Sequence, residues 1–140
     1  MFHPIITVIG RKVRDNMKKK KRTRFFKSLQ YALEGIFTGI KQERNMKIHC
    51  IAVLVMVFFG IFLHITVTEW CICLILFGLI LALELVNTAV EAVVDLVTEE
   101  YKPLAKEAKD MAAGAVLIGT IIALIVGSIL FLPKIYFLFV

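Results

Sequence analysis

Apolar residues dominate three stretches of the chain, each long enough to cross a lipid bilayer. A helix needs about 20 predominantly apolar residues to span the hydrocarbon core, and residues 48–67, 70–97 and 111–132 meet this requirement. Over residues 24–42 the apolar positions recur at three- and four-residue steps, the spacing of an amphipathic helix. The pattern predicts an all-α integral membrane protein, with an amphipathic helix lying in the plane of the interface and three transmembrane helices.

The composition supports this class and excludes several others. Of the 140 residues, 59% are hydrophobic and 20% are charged, whereas soluble domains average about 45–50% apolar and about 25% charged residues. We therefore do not expect an ordinary soluble domain, a disordered chain or a nucleic-acid-binding module. The three cysteines, Cys50, Cys71 and Cys73, lie in or beside apolar stretches without CxxC spacing, so neither a disulfide framework nor a zinc site is predicted.

Positive charge is concentrated in the amino-terminal third. Residues 1–47 hold thirteen of the seventeen Lys and Arg residues and only three acids. Basic segments beside a membrane span mark its cytoplasmic side and attract anionic lipid. The amino terminus is therefore predicted to be cytoplasmic and the carboxyl terminus, after three spans, to lie outside. We expect residues 1–23 to form a flexible basic extension, residues 24–140 to form the membrane domain, and Met1 and Met17 both to be candidate starts.

Four polar residues interrupt the apolar second span: Glu84, Asn87, Glu91 and Asp95. At 100° per residue they fall within an arc of about 80°, so they form one stripe along the helix. The predicted depth places Glu84 inside the hydrocarbon, Glu91 at the cytoplasmic boundary and Asp95 just beyond it. A carboxylate inside the hydrocarbon costs about 2.5–3.5 kcal/mol on insertion scales. The stripe therefore predicts a functional site.

Three interpretations of the stripe remain open from the residues alone. Intramembrane carboxylates can relay protons or cations, and a polar seam can also join subunits of a structural or regulatory assembly. The third interpretation is a reaction at the interface, with Glu84 as general base on a hydroxyl. Carboxylates at the boundary, Glu91 and Glu43, would then hold magnesium against phosphates, and the phosphate partners would come from the loop lysines, Lys102, Lys106 and Lys109.

Small residues recur every four positions in the third span, at Ala115, Gly119, Ala123 and Gly127. Such a stripe lets helices approach closely, either within one protomer or between protomers. Because three helices enclose little interior for polar groups, we expect a homo-oligomer.

The strings ELVNTAVEAVVD (residues 84–95) and EYKPLAKEAKD (residues 100–110) resemble the prokaryotic diacylglycerol kinase family of small membrane lipid kinases, and the match looks close to its undecaprenol kinase branch. The resemblance extends over about residues 24–131. It implies a multi-pass protein of the bacterial inner membrane, assembled as a homotrimer with active sites shared between neighbours. The implied reaction transfers a phosphoryl group from ATP to the hydroxyl of a membrane lipid.

The resemblance also implies roles for individual residues. Glu84 would be the general base, and Asn87 beside it would position the reacting groups. Glu43 and Glu91 would bind the Mg²⁺ that bridges the ATP phosphates, and Arg24 would lie near the lipid. The implied nucleotide-binding residues are Lys109 and Asp110, with Tyr31, Glu100, Tyr101 and Lys102 lining the ATP site.

The identity of the lipid depends on one departure within the family. His49 stands where the diacylglycerol branch carries an acid, and this looks like the branch that phosphorylates undecaprenol. The expected product is therefore undecaprenyl phosphate, and phosphatidic acid, made from diacylglycerol by the same mechanism, is the alternative.

Overall fold

The computed structural model describes residues 24–139, with side chains through residue 138. The basic extension expected over residues 1–23 lies outside the described residues, as does the choice between Met1 and Met17. The described residues form four helices: α1 (24–42), α2 (Arg44–Phe62), α3 (Val67–Val97) and α4 (Pro103–Phe139).

Three of these helices, α2, α3 and α4, are long and apolar enough to cross a membrane. This confirms the predicted all-α architecture with three helices able to span a membrane. At 1.5 Å per residue, the 31 residues of α3 extend over about 46 Å, so this helix is longer than the hydrocarbon core of about 30 Å. One end of α3 therefore reaches into the polar region.

The chain divides into two units between Thr38 and Gly39. In the described part of the first unit, the helix is supported by local polar contacts. Gln30 donates a hydrogen bond to Glu34 over 2.8 Å, and the Thr38 hydroxyl donates to the backbone carbonyl of Glu34 over 2.8 Å. The spacing of four residues between these partners is that of neighbouring turns on one helix face.

In the second unit α3 is the central helix, because both α2 and α4 pack against it. Close approach to α4 occurs at Gly119, where a Cβ atom would lie 3.2 Å from Cδ1 of Leu83. The small-residue stripe predicted in the third span therefore serves packing within the protomer at this position. At the other end of α3, buried Met56, Ile65 and Cys73 form an apolar cluster.

The turn between α2 and α3 lies earlier than predicted. Apolar residues continue to Val67, but α2 ends at Phe62, because His64 adopts a positive φ of 50° that a helix does not accommodate. Thr66 then starts α3 through a capping box. The Thr66 hydroxyl accepts from the Glu69 N–H, and the Glu69 carboxylate accepts from the Thr66 N–H over 2.6 Å.

Helix α4 is longer than the predicted span of residues 111–132 at both ends. It begins at Pro103, a residue suited to the first helical position because it lacks the N–H that would have no partner there. It continues past Pro133 to Phe139. Hydropathy identifies only the part of a helix that lies in hydrocarbon. The polar first turns of α4 were therefore not predicted as part of the helix.

Helix α2 packs tightly against α3 at Gly60, where a Cβ atom would lie 2.8 Å from the Trp70 ring. We expect Gly60→Ala to lower the free energy of unfolding by about 1–3 kcal/mol, the usual cost of overpacking against a rigid side chain. Gly78→Ala is the matched control, since a Cβ atom there meets nothing within 4 Å. Denaturation of both variants in detergent micelles measures the difference, and equal stability of the two would contradict this packing.

Candidate active site

The most deeply buried polar side chains of the described chain lie on one face of α3. Glu84 is 1% exposed and Asn87 is 6% exposed. Oε2 of Glu84 and Oδ1 of Asn87 have no hydrogen-bond partner among the described residues. Buried polar atoms are nearly always paired in folded proteins. Two such atoms within one turn of a helix therefore mark a place where a ligand or a further group is expected.

Hydrogen bonds along α3 orient these side chains. The side-chain amide of Asn87 donates to Oε1 of Glu91 over 2.8 Å. The hydroxyl of Thr88 donates to the backbone carbonyl of Glu84 over 3.0 Å, so it is satisfied within the helix. The amide nitrogen of Asn87 thus has a partner in Glu91, whereas its carbonyl oxygen is buried without one among the described residues.

The first turns of α2 supply the other side of the site. Glu43, Asn45 and His49 all lie near the Glu84 carboxylate. Glu91 lies near it from α3. The two carboxylates predicted to share a metal ion, Glu43 and Glu91, are therefore both neighbours of the predicted base.

Packing at the start of α2 fixes this arrangement. Met46 is 2% exposed, and its terminal methyl group lies beside Gly39, which also contacts Leu85 of α3. Glu43 occupies the N-cap position of α2, but its side chain makes no capping hydrogen bond. The Glu43 carboxylate is therefore available for a ligand.

A second polar group joins the ends of α3 and α4. The Lys109 ammonium pairs with Oδ1 of Asp95 over 2.6 Å, and this pair connects the two helices. Lys106 pairs with Asp110 within α4, and Lys102 pairs with Glu100 over 2.7 Å. Beside these pairs a shallow pocket of about 570 Å³ is lined by Tyr101, Pro103, Lys106, Glu107, Asp110 and Met111.

The structure thus brings the sequence-predicted residues together in two groups. Glu84 and Asn87, which are buried, form the buried group together with the half-buried Glu91 and Glu43. The second group lies at the cytoplasmic end predicted from the sequence and comprises Glu100, Tyr101, Lys102, Lys109 and Asp110. Asp95 links the groups, because it follows Glu91 by one turn of α3 and binds Lys109. Arg24 and Tyr31 belong to the first unit, and both are exposed there.

Sequence reasoning missed two features of this site. Asn45 was not singled out, although it stands four residues before His49 and therefore shares its helix face. That spacing was the available signal. The partner of Lys109 was also missed, because a pairing across fourteen residues depends on how α4 packs against α3.

Donor chemistry at the buried group suits magnesium. Among the described residues no three His, Cys, Asp or Glu side chains form a ready metal site. Magnesium, however, is typically held by one or two carboxylates together with water and substrate phosphates. Glu43 and Glu91 supply that number of carboxylates, so the residues present fit this ion when a phosphate substrate is bound.

Comparison with known proteins places the chain beside small lipid kinases. The profile of the family described as prokaryotic diacylglycerol kinase matches residues 30–131. The chain is 44% identical over 111 residues to the undecaprenol kinase of Bacillus subtilis (strain 168). The matched residues cover 79% of this chain and 90% of that protein.

Similarity to diacylglycerol kinases is lower but also extends over most of the chain. Identity is 40% over 114 residues to the enzyme of Synechocystis sp., covering 81% of this chain and 65% of that protein. Identity to the enzyme of Escherichia coli (strain K12) is 33% over 108 residues, covering 77% of this chain and 88% of that protein.

The two ion pairs that join α3 to α4 differ in exposure, and we expect them to differ in their effect on stability. Asp95→Asn removes the partner of Lys109 at an exposed position, with side chains 62% and 35% exposed. It should lower the free energy of unfolding by less than about 1 kcal/mol. Glu69→Ala removes both a less exposed pair with Lys134 and the capping box, and it should lower the free energy of unfolding more than Asp95→Asn does. Chemical denaturation in micelles ranks the variants, and the reverse order would contradict this assignment.

Proposed function

The chain belongs to the prokaryotic diacylglycerol kinase family and is a membrane lipid kinase, and we propose that its acceptor is the hydroxyl of undecaprenol. Diacylglycerol is the alternative acceptor. The single observation that carries the proposed mechanism is the buried, unpartnered carboxylate oxygen of Glu84 beside Asn87 and Glu91. At the position of Glu84 a proton acceptor could contact a lipid alcohol that arrives from the membrane, while ATP arrives from water.

In the proposed reaction Glu84 accepts the proton of the lipid hydroxyl. The hydroxyl oxygen forms a bond to the γ-phosphorus of ATP, and the bond from that phosphorus to the bridging oxygen breaks. ADP leaves with the electron pair of the broken bond. Phosphoryl transfer depends mainly on positioning and charge stabilisation, so the residues around Glu84 have to hold both substrates close together. Asn87 has a free carbonyl oxygen there, which suits a positioning role.

Glu43 and Glu91 are proposed to hold Mg²⁺, the cofactor of the reaction. Bound there, the ion would neutralise charge on the ATP phosphates. The Asn87 amide holds the Glu91 carboxylate in place through its 2.8 Å hydrogen bond. Glu43 approaches from the start of α2, where its carboxylate is free of a capping bond. The two helices therefore each contribute one carboxylate.

The polar group at the ends of α3 and α4 is proposed to bind ATP. Lys109 is held by Asp95, which follows Glu91 by one helical turn. Asp110 lines the neighbouring shallow pocket together with Tyr101. Glu100 and Lys102 complete the proposed nucleotide site within the second unit. In the first unit, the family resemblance assigns Tyr31 to the nucleotide and Arg24 to the lipid or its phosphorylated product.

Undecaprenol is preferred over diacylglycerol for two reasons. The relative with 44% identity carries the name undecaprenol kinase, and His49, the residue at which this chain departs from the diacylglycerol branch, is close enough to Glu84 to act on it. A residue at that distance from the base is well placed to contact the acceptor next to its hydroxyl.

The assembly and orientation are part of the same proposal. We place the protein in the bacterial inner membrane with a cytoplasmic amino terminus, because the basic arm precedes the first span. Helix α1 would lie along the cytoplasmic interface. A homotrimer would enclose Glu91 and Asp95, which the single chain leaves partly or largely exposed.

Replacement of the proposed base provides the main test. Glu84→Gln preserves the size of the side chain and removes its ability to accept a proton, so we expect the transfer rate to fall by about 10²–10⁴-fold. The measurement is label transfer from γ-labelled ATP in mixed micelles with magnesium, offering undecaprenol and diacylglycerol separately. Glu99→Gln, at an exposed acid outside the site, is the matched control and should keep the parental rate.

Each outcome of this assay decides one part of the proposal. Label in undecaprenyl phosphate that disappears in Glu84→Gln supports it. Label mainly in phosphatidic acid keeps the mechanism and replaces the acceptor by the alternative. A Glu84→Gln variant that works at the parental rate refutes the assignment of the base.

A further inference from the structure

Lys106 is the lysine near the start of α4 to which the proposed nucleotide site gives no role. It lies in the first turns of the helix, where its backbone N–H donates to the carbonyl of Lys102 over 3.1 Å. The shallow pocket of about 570 Å³ at this end of α4 has Lys106 in its lining, whereas Lys102 and Lys109 lie outside the described lining residues. The lysine that faces the pocket is therefore Lys106.

Two acids hold Lys106 and Lys109 in different directions. Lys109 pairs with Asp95 of α3 over 2.6 Å, so its ammonium is turned toward α3. Lys106 pairs with Asp110, one turn further along α4. Because Asp110 itself lines the pocket, this pair keeps the Lys106 ammonium at the pocket wall.

The order of residues around α4 places Lys106 between Lys109 and the rest of the pocket. At 100° per residue, Lys109 lies about 60° to one side of Lys106. The pocket residues Asp110 and Glu107 lie about 40° and about 100° to the other side. Residues three apart on a helix are neighbours, with Cβ atoms about 5–6 Å apart. A ligand that extends from the α3 side of α4 into the pocket therefore passes Lys109 first and Lys106 next.

The α3 side of α4 is also the side of the proposed metal site. Asp95, the partner of Lys109, follows Glu91 by one helical turn. Glu91, Lys109, Lys106 and the pocket thus form a series of positions that leads away from the metal site. In phosphoryl transfer the metal bridges the β- and γ-phosphates. The next phosphate in ATP is the α-phosphate, and the position that follows Lys109 in this series is that of Lys106.

The charges of the pocket give Lys106 a specific task. Among the described lining residues Lys106 carries the positive charge, whereas Glu107 and Asp110 carry negative charges. Two carboxylates without a cation would repel a phosphate that enters the pocket. An ammonium group has three N–H donors, and the bond to Asp110 uses one of them. The Lys106 side chain is also more than half exposed, so the other two donors are open to phosphate oxygens.

We propose that Lys106 binds the α-phosphate of ATP, and that Asp110 holds the lysine at the edge of the pocket for this contact. The inference rests on the proposed function and adds one residue to its nucleotide site, between Lys109 and the pocket for the nucleoside. Lys106 acts on a phosphate that is not transferred. Its loss therefore raises the KM for ATP and leaves kcat nearly unchanged.

The first test removes the charge of Lys106 and keeps the length of the side chain. Lys106→Met loses the ammonium, and Lys106→Arg keeps a positive charge. Lys134→Met is the matched control, because Lys134 is also ion-paired on α4, to Glu69. It lies 28 residues further along the helix, about 42 Å away along the axis. For each protein we would measure kcat, the KM for MgATP, and the inhibition constants of MgADP and of adenosine.

We expect Lys106→Met to raise the KM for MgATP and the inhibition constant of MgADP by about tenfold, through loss of a charge-assisted hydrogen bond. Its kcat, its lipid KM and its inhibition constant for adenosine should stay within about twofold of the parent, as should all values of Lys134→Met. Lys106→Arg should bind MgATP more tightly than Lys106→Met does.

Two results of these measurements would overturn the proposal. One is an unchanged KM for MgATP in Lys106→Met. The other is an equal loss of affinity for adenosine and for MgADP, since adenosine carries no phosphate. That result would assign Lys106 to the shape of the nucleoside pocket instead of a phosphate contact.

A second measurement does not depend on lipid phosphorylation. The parent protein is acetylated with acetic anhydride with and without saturating MgADP, and the modification of each lysine is quantified by mass spectrometry. We expect MgADP to protect Lys106 and to leave the modification of Lys134 unchanged. Equal modification of Lys106 in both samples would contradict the proposed contact.

The two measurements separate this inference from the proposed function. If the parent phosphorylates neither undecaprenol nor diacylglycerol, the proposed function fails. The protection of Lys106 by MgADP then decides by itself whether a nucleotide phosphate is bound at this position.

Discussion

The structure depends on keeping a carboxylate inside an apolar helix bundle. Glu84 is almost fully buried, and an isolated charge in such surroundings is costly unless other groups compensate for it. The groups near Glu84 that favour its charged form, Asn45 and His49, come from α2. Because the buried Glu84 carboxylate needs polar neighbours, α2 has to pack against the face of α3 that carries Glu84.

The remaining packing follows from the central position of α3. Close contacts at Gly60 and Gly119 bring α2 and α4 against its two sides, and the ion pairs of Asp95 and Glu69 connect α3 to α4 near both of its ends. The same arrangement separates a buried polar site from a polar surface group. A kinase that joins a lipid to a nucleotide needs both environments within one small protein.

The sequence predicted the helices and the polar stripe because both depend on local periodicity. Length and apolar content identified three spans, and the spacing from Glu84 to Asp95 placed four polar residues on one face. The end of α2 could not be predicted, since it depends on the positive φ of His64. Asn45 and the partner of Lys109 were missed, because contacts between helices are set by packing. The resemblance to a kinase family supplied the individual roles, which periodicity cannot provide.

The most direct measurement of the central claim is a structure of the assembled protein in lipid with a non-hydrolysable ATP analogue, magnesium and the acceptor. The distance of interest joins the acceptor hydroxyl oxygen to the nearer carboxylate oxygen of Glu84. A general base should lie within about 2.6–3.2 Å of the group it deprotonates, with the γ-phosphate on the other side of the hydroxyl. A hydroxyl held by another side chain, with Glu84 facing only protein, would contradict the account.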